Sequence, residues 1–161
     1  VTSIGQSTFL HCYSLTSITL PEGLTDIGDW TFRCCLGLKS IEIPSSVKSI
    51  GHSAFAECSK LKSLRLPDEL EEINNEAFAG CSGLELIEIP SNVTSIGQGA
   101  FIGCSGLTSV TFSKKLKKIG GEAFKNCFRL ISIEFLSNES IEVGKDVFLN
   151  CNLAEIIVYS E

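Results

Sequence analysis

The sequence has no long apolar run and none of the short motifs that usually mark a catalytic or metal site. Its 161 residues include no methionine, one tryptophan and two histidines. No apolar run approaches the length of a membrane-spanning helix, so we expect no membrane span in this segment. The motifs G-x-S-x-G, H-E-x-x-H and the Walker loop do not occur, and neither does C-x-x-C or H-x-x-x-H spacing. We therefore predict no enzyme activity, no cofactor and no metal site.

Positive charge is also scarce. Lysine and arginine together number 13 against 19 acidic residues, which gives a net charge of −6. Phosphate contacts need a cationic surface, so nucleic-acid binding is not expected. Hydrophobic residues make up 43% of the chain and charged residues 20%, a composition that is typical of a folded domain and excludes disorder.

Phenylalanine recurs at a fixed interval, and other residue types recur with it. A cysteine follows each of these recurring phenylalanines at the third position, and a leucine follows most of those cysteines at the third position again. The repeating unit is L-x-x-I-x-[LIF]-P-x-x-[LV]-x-x-I-G-x-x-A-F-x-x-C-x-x. The phenylalanine column comprises Phe9, Phe32, Phe55, Phe78, Phe101 and Phe124, with Phe148 one place late. Such a period indicates a tandem array whose units bury their apolar residues by stacking.

The array divides into six full units and a partial unit at each end. The full units are 15–37, 38–60, 61–83, 84–106, 107–129 and 130–152, and the partial units are 1–14 and 153–161. The sixth unit has one extra residue before Val143 and lacks one after Cys151, a slip that we expect loops to absorb. We predict one elongated repeat domain over residues 1–161. Because the chain starts and ends within a unit, we also expect it to be a piece of a longer array.

Each column of the repeat predicts a local structure. The segment L-x-x-I-x-L, bounded by proline in four units, predicts a short strand that pairs in parallel with its neighbours. The glycine column, which Asn74 interrupts, predicts a left-handed backbone conformation. The segment through A-F-x-x-C is too short for a stable isolated helix, so we expect one helical or 3₁₀ turn.

Stretches such as LTSITLPEGLTDIGDWTF and VTSIGQGAFIGCSGLTSV resemble the BspA-like leucine-rich repeats of bacterial and some protozoan surface proteins. The resemblance covers essentially the whole chain. It implies a right-handed leucine-rich repeat solenoid with parallel strands on the concave face and short turns and second strands elsewhere. It also implies an extracellular or cell-surface location and adhesion to host matrix or other cells. The departures, such as Asn74 in the glycine column and Val147 before Phe148, are local.

The cysteines raise the question of disulfides, because their number is eight and the resembling family is extracellular. Equal spacing predicts seven thiols that point the same way into the core, and parallel side chains fit disulfide geometry poorly. We therefore interpret the column as small buried hydrophobic residues. Cys34 lies one place before the column, in register with His11, and is expected to be a partly exposed thiol.

The outward positions of the predicted strands are mostly serine and charged residues. Glu42 and Glu88 flank Arg65 in one column, which suggests a cross-strand ion-pair ladder rather than the acid and base of a polysaccharide-cleaving enzyme. A serine column could form an ice-binding face, but Leu86 interrupts it. Leu86 and Ile131 are apolar where the pattern predicts solvent, so they are candidate partner-binding residues with Arg65 and Glu88.

Two further features lie away from these strands. Trp30 immediately precedes Thr31 and Phe32 and is expected to be exposed, as a binding anchor or as a cover for a neighbouring repeat. The run KKLKK places Lys114, Lys115, Lys117 and Lys118 around an inward Leu116, and the equivalent positions two units earlier are Asp68, Glu69, Glu71 and Glu72. The lysines are interpreted as a solvated ridge or a steering patch. Capture of an anionic glycan and weak self-association remain open alternatives.

We thus predict a noncatalytic module that binds a protein partner on a rigid repeat surface, with a structural spacer as the alternative. Nothing in a repeat fold specifies the ligand. Asn92 and Asn138 begin N-x-[ST] sequences, which would be glycosylation acceptors in an exported eukaryotic protein.

Overall fold

The chain forms a parallel-strand solenoid of about seven turns. The structure is a computed structural model that describes residues 1–137 and 139–159. One turn of the coil, here called a rung, corresponds to one unit of the sequence repeat. Asn138 and the last two residues of the partial unit 153–161 lie outside the described residues. The parallel strands stack rung on rung, as the repeat predicts, so the predicted fold class is confirmed.

Two parallel sheets run along the solenoid. In the seven-stranded sheet, each strand ends at the second residue of the second apolar pair of its unit. The strands are β1 (Ser3–Ile4), β2 (Asp26–Ile27), β3 (Ser49–Ile50), β4 (Glu72–Ile73), β6 (Ser95–Ile96), β8 (Lys118–Ile119) and β10 (Glu142–Val143). The four-stranded sheet follows L-x-x-I-x-L and consists of β5 (Leu86–Glu88), β7 (Ser109–Phe112), β9 (Ser132–Phe135) and β11 (Glu155–Val158). In the N-terminal half, isolated bridges join Thr19 to Glu42 and Ser40 to Ser63. The predicted strands therefore exist, but they are regular only in the C-terminal half.

The strand register follows the length of the sequence repeat. Asp26 pairs with Ser49, the equivalent residue of the next unit, and Ser95 pairs in the same way with Lys118. Lys118 pairs with Glu142, one place beyond the exact repeat, because the sixth unit carries its extra residue before this strand. Ser132 pairs with Glu155, again at the exact repeat. The loop between β9 and β10 therefore absorbs the extra residue, as the sequence predicts.

The phenylalanine column is a continuous stack of rings inside the coil. Ring centroids of successive members lie between 5.1 and 5.7 Å apart, and their planes differ by at most 16°. Phe55 and Phe78, for example, lie 5.5 Å apart and are both fully buried. Such ring pairs contribute about 0.5–1.5 kcal/mol each beyond the area they bury. The stack links every rung to the next.

The cysteine column forms a second ladder beside the rings. All eight cysteines are free, and those of the five central rungs are buried. Each column thiol from Cys35 onward donates to the carbonyl oxygen of the phenylalanine on the preceding rung, as Cys58 does to Phe32 across 3.2 Å. Burial raises the pKa of Cys35 to about 11 and that of Cys104 to about 12. The predicted burial of the cysteine column is confirmed for the five central rungs, and the hydrogen bond is an addition to it.

The predicted left-handed conformation of the glycine column is wrong. Positive φ occurs instead at the second position after that column, as at Ser7, Trp30 and Glu76, and at the sixth position after it, as at Cys34 and Gly80. The glycines are needed because adjacent rungs approach too closely for a side chain. A Cβ atom on Gly97 would lie 2.5 Å from the backbone nitrogen of Asn75. Glycine here provides space between rungs rather than backbone freedom.

Asn74 stands in the glycine column, and its side chain makes the hydrogen bond that the backbone amide makes in other rungs. In other rungs the glycine amide donates to an isoleucine carbonyl, as Gly51 does to Ile27 across 2.8 Å. On the fourth rung the side-chain amide of Asn74 donates to the equivalent carbonyl of Ile50 across 2.7 Å. The departure is therefore accommodated by one substituted hydrogen bond.

The expected helical or 3₁₀ turn is replaced by two successive tight turns. The amide of Ala79 donates to Glu76 and that of Cys81 to Phe78, in each case to the third residue back along the chain. Left-handed residues at Glu76 and Gly80 stop these turns from continuing as a helix. The remaining amides point along the solenoid, as when Phe78 donates to Ala100 across 2.8 Å. Hydrogen bonds between rungs therefore determine the conformation of this segment.

Candidate functional site

An open groove lies on the strand face of the N-terminal and central rungs. Its volume is about 1490 Å³, and strand segments between Ser17 and Ser91 line it. Three of the candidate residues, Arg65, Leu86 and Glu88, are among them. Because the groove is formed by stacked backbone, it exists before any partner binds.

Leu86 is the apolar residue that the groove exposes most. Strand alternation places Leu86 and Glu88 outward and Ile87 inward, and Leu86 is 62% exposed. Other rungs carry serine in its column, as the pairing of Leu86 with Ser109 and of Ser109 with Ser132 shows. A single aliphatic side chain therefore stands in a row of hydroxyl groups, where a partner could cover it.

Arg65 and Glu88 provide opposite charges beside Leu86. Arg65 forms its ion pair with a residue of the same rung, three positions later in the chain: Arg65 Nη2 lies 3.6 Å from Asp68 Oδ2. The expected cross-strand ladder joined Arg65 to Glu42 and Glu88, but the Arg65 guanidinium pairs with Asp68 instead. Both members of the observed pair are largely exposed, so it contributes little stability and leaves the guanidinium at the groove surface.

Ile131 does not reach this groove. Its amide donates to Thr108 across 3.0 Å, and the amide of Thr108 donates to Glu85 across 2.9 Å. Ile131 therefore lies two rungs beyond the strand that carries Leu86, about 10 Å along the coil at the usual strand spacing. It is 48% exposed.

Trp30 is half-buried rather than exposed, so the predicted exposure is wrong. Its indole packs edge-on against the His52 ring of the next rung, with centroids 5.6 Å apart. Of the two roles considered for Trp30, this contact matches the cover for a neighbouring rung. Trp30 lies in the turn segment after β2, on a different side from the groove residues.

The lysines form a ridge on a lateral face, outside the groove. Lys114, Lys115, Lys117 and Lys118 are all exposed, and Leu116 between them is buried, as the sequence predicts. We call these four lysines the basic ridge. The exposed residues Asp68, Glu69, Glu71 and Glu72 are called the acidic ridge. Strand pairing of Glu72 with Ser95 and of Ser95 with Lys118 places the ridges two rungs apart.

A neutral rung separates the two ridges. Asn92 of this rung donates from Nδ2 to the Asp68 carbonyl across 3.0 Å and accepts from Lys115 Nζ across 2.8 Å. Lys118 pairs with Glu142 on its other side across 3.0 Å. The side chain of Asn92, one of the two possible glycosylation acceptors, is thus engaged in both directions, whereas Asn138 lies outside the described residues.

Phe128 and Tyr13 are exposed aromatic residues that the sequence reasoning did not identify. They are 58% and 55% exposed and immediately follow the cysteine column. Three central rungs carry serine there, at Ser59, Ser82 and Ser105. A large apolar side chain in a serine column was the signal, and it is the same signal that identifies Leu86.

No candidate metal site is found in residues 1–137 and 139–159. These residues contain no group of three or more His, Cys, Asp or Glu side chains that could hold a metal ion. The two histidines lie apart, because His11 stacks on Tyr13 whereas His52 packs against Trp30. Within the same ranges, no helix has the length and apolar character needed to cross a bilayer.

Comparisons with known proteins agree with this geometry. A family profile described as BspA type leucine rich repeat region matches residues 1–82 and 48–161, in six copies. The crystal structure of a leucine rich repeat protein from T. pallidum, TpLRR, is 31% identical, with a TM-score of 0.88 over 94% of this chain and 71% of that one.

Two other solved structures extend the comparison. A leucine-rich repeat protein from Bacteroides ovatus is 27% identical, with a TM-score of 0.62 over 99% of this chain and 59% of that one. A leucine rich cell surface protein from Faecalibacterium prausnitzii is 24% identical, with a TM-score of 0.61 over 97% of this chain and 58% of that one, and this likeness shows the fold alone. A search of curated proteins gave no match.

Proposed function

Because the chain belongs to the family of BspA type leucine-rich repeats, we propose that it is a noncatalytic module whose strand-lined groove binds a protein partner. Repeat proteins of this family have general binding or structural roles, and their fold is typically noncatalytic. The specific proposal is adhesion to host matrix or to another cell. A rigid, preformed surface suits this role because little conformational entropy is lost on binding.

The exposure of Leu86 is the observation that carries this proposal. Burying an exposed leucine side chain contributes roughly 1.5–3 kcal/mol, which is enough to make it the centre of a contact. Arg65 and Glu88 lie at the same groove and add polar groups that select partner charge. An apolar anchor surrounded by polar groups is the usual composition of a protein interface.

The basic ridge lies beside this binding surface and has a supporting role. We propose that its lysines steer an acidic partner, which raises the association rate without a contact in the groove. Ile131 and Trp30 are secondary candidates: Ile131 extends the strand face toward the C-terminus, and Trp30 stabilises its neighbouring rung. Steering weakens with salt, whereas the contact at Leu86 does not.

A cell-surface location is part of the proposal. One neighbour is described as a cell surface protein, and another, 20% identical, as the pneumococcal vaccine antigen PcpA. Such a location places the groove within reach of matrix and of other cells. Expression of the full natural protein with surface labelling of intact cells would test this point.

The binding experiment compares two substitutions that each introduce a negative charge in the same strand column. Leu86→Asp changes the groove, and Ser132→Asp makes the same outward change at a rung beyond it. The chain is tested by interferometry against a panel of purified extracellular-matrix proteins, with heparin as an anionic-glycan probe. We expect saturable binding to a matrix protein that Leu86→Asp weakens about tenfold or more and Ser132→Asp leaves unchanged.

Other outcomes would contradict the groove as the site. Equal binding by both variants would exclude a contact at Leu86. The absence of any saturable matrix ligand would favour the alternative of a structural spacer. Binding to heparin alone, lost in Lys114→Glu/Lys115→Glu, would move the site to the basic ridge.

A further inference from the structure

The charges on the lateral face follow a pattern that is complementary to its own inverted copy. Along the solenoid, successive rungs carry Lys48, then the acidic ridge, then the neutral residues 91–95, then the basic ridge, and then Glu139 and Glu142. Over these five rungs, reversing the direction of the solenoid exchanges acid for base on either side of the neutral rung. Glu22 and Asp26, on the rung before Lys48, lie outside this pattern. The centre of this inversion is the rung that contains Asn92.

Within one chain the two ridges cannot neutralise each other directly. The ridges occupy the same columns but lie two strand spacings apart, about 10 Å, which is about one Debye length at 0.1 M salt. The neutral rung occupies the space between them, where Lys115 reaches only as far as Asn92. The face therefore keeps a strong local separation of charge.

We propose that this lateral face binds the same face of a second copy of the chain in a two-fold dimer. The two-fold axis lies in the plane of the contact and runs along the neutral rung, so the two solenoids are antiparallel. The acidic ridge of each copy then faces the basic ridge of the other, column on column, with Glu72 opposite Lys118. The interface is isologous, so every pairing occurs twice.

The charge pattern selects this arrangement over the other two-fold arrangement. An axis parallel to the solenoid would keep the rung order and place like ridges against each other, which is repulsive. In the proposed arrangement, Lys48 of one copy also lies near Glu142 of the other. Asn92 meets its own copy at the centre of the contact.

Sedimentation equilibrium at low and high salt tests the proposal. We expect a monomer–dimer equilibrium at about 50 mM salt that shifts to monomer at about 500 mM, because the interacting charges are exposed. Two variants reverse part of one ridge each: Glu71→Lys/Glu72→Lys and Lys117→Glu/Lys118→Glu. Each alone should dimerise about tenfold or more weakly, because half of each ridge contact becomes repulsive.

Mixing the two variants gives the decisive result. In an equimolar mixture, all four columns of both ridge contacts are again opposite in sign, so a heterodimer should form with the affinity of the unaltered chain. A chain with all four substitutions should also recover homodimerisation. Misfolding of a variant cannot produce such recovery. Glu57→Lys/Glu85→Lys is the control for Glu71→Lys/Glu72→Lys, because it gives the same change in net charge outside the ridges.

Three outcomes would overturn the proposal. They are a monomer at every salt concentration, a dimer that the ridge variants do not affect, and a mixture that stays monomeric although both variants are folded. A chain that binds heparin through the basic ridge but stays monomeric at every salt concentration would likewise overturn the proposal. Leu86→Asp should leave dimerisation unchanged, so failure of this proposal is distinguishable from failure of the groove.

Discussion

The thiol of Cys81 donates to the backbone carbonyl oxygen of Phe55 across 3.2 Å, from one rung to the preceding one. Both residues are fully buried, and Cys81 belongs to the same column as Cys58 and Cys104. The contact joins the two most regular columns of the repeat. Cysteine here is both a small hydrophobic residue and the partner of a backbone acceptor that faces no solvent.

Removing that thiol should destabilise the solenoid. Cys81→Ala leaves a small cavity and removes one of the two hydrogen bonds that the Phe55 carbonyl accepts, the other coming from the Cys58 amide. We therefore expect the free energy of unfolding to fall by about 1–2 kcal/mol. The control is Cys34→Ala, because Cys34 is half-buried and lies outside the column. Urea denaturation measures both. Equal effects of the two substitutions would contradict a structural role for the column.

The buried thiols should also make stability depend on alkaline pH. Burial raises the pKa of Cys104 from 9.0 to about 12, so the folded state keeps this thiol protonated while the unfolded state ionises. The stabilisation is complete below pH 9 and is lost as the pH rises from 9 toward 12. Each such thiol contributes a slope of up to about 1.4 kcal/mol per pH unit.

Comparison with Cys104→Ala isolates this contribution. All other titratable groups are the same in both proteins, so their effect cancels in the difference. Thermal melts between about pH 8 and pH 10 should show a shallower decline for the variant. Identical slopes would mean that the Cys104 thiol ionises equally in both states.

The glycine column gives a prediction with an internal control. A Cβ atom on Gly97 would meet backbone atoms of Asn74 and Asn75 within 2.7 Å, and backbone cannot move aside easily. Gly97→Ala should therefore cost about 1–3 kcal/mol. Gly5→Ala occupies the same column, but its nearest contact is 3.8 Å away, so it should stay within about 0.5 kcal/mol of the unaltered chain. Denaturation that ranks the two in the opposite order would contradict the close approach of rungs.

The ring stack predicts a contrast between two phenylalanines. Phe78→Ala removes a fully buried ring that contacts Phe55 and Phe101, so we expect a loss of about 3–5 kcal/mol. Phe128→Ala removes a ring that is more than half exposed and should change stability by less than about 1 kcal/mol. Similar losses at both sites would show that the column is not the core.

Much of the fold could be predicted from the repeat alone, because a fixed period converts columns of sequence into stripes on the solenoid. The inward phenylalanines and cysteines, the strands and the absorbed extra residue all follow from it. The left-handed positions did not follow, because residues such as Trp30 and Glu76 have no intrinsic preference for positive φ. They adopt it because their amides donate to the next rung, as Trp30 does to His52 across 2.9 Å.

The candidate site could be predicted only in part. Strand alternation correctly placed Leu86, Arg65 and Glu88 outward, and the KKLKK pattern correctly placed its lysines at the surface. The packing of Trp30 on His52 and the pairing of Arg65 with Asp68 depend on side-chain rotamers, which a repeat pattern does not contain. Whether the groove binds a partner is a property of the surface, so it stays a proposal.

The central claim is that equivalent residues of successive units lie on top of one another, with the cysteine column inside. Counting reactive thiols with a chromogenic disulfide reagent tests this most directly. Eight free thiols should react in denaturant, whereas the five buried ones should be protected in the native protein, leaving at most Cys12, Cys34 and Cys151 reactive. Rapid reaction of more than three thiols in the native protein, or fewer than eight in denaturant, would contradict the account.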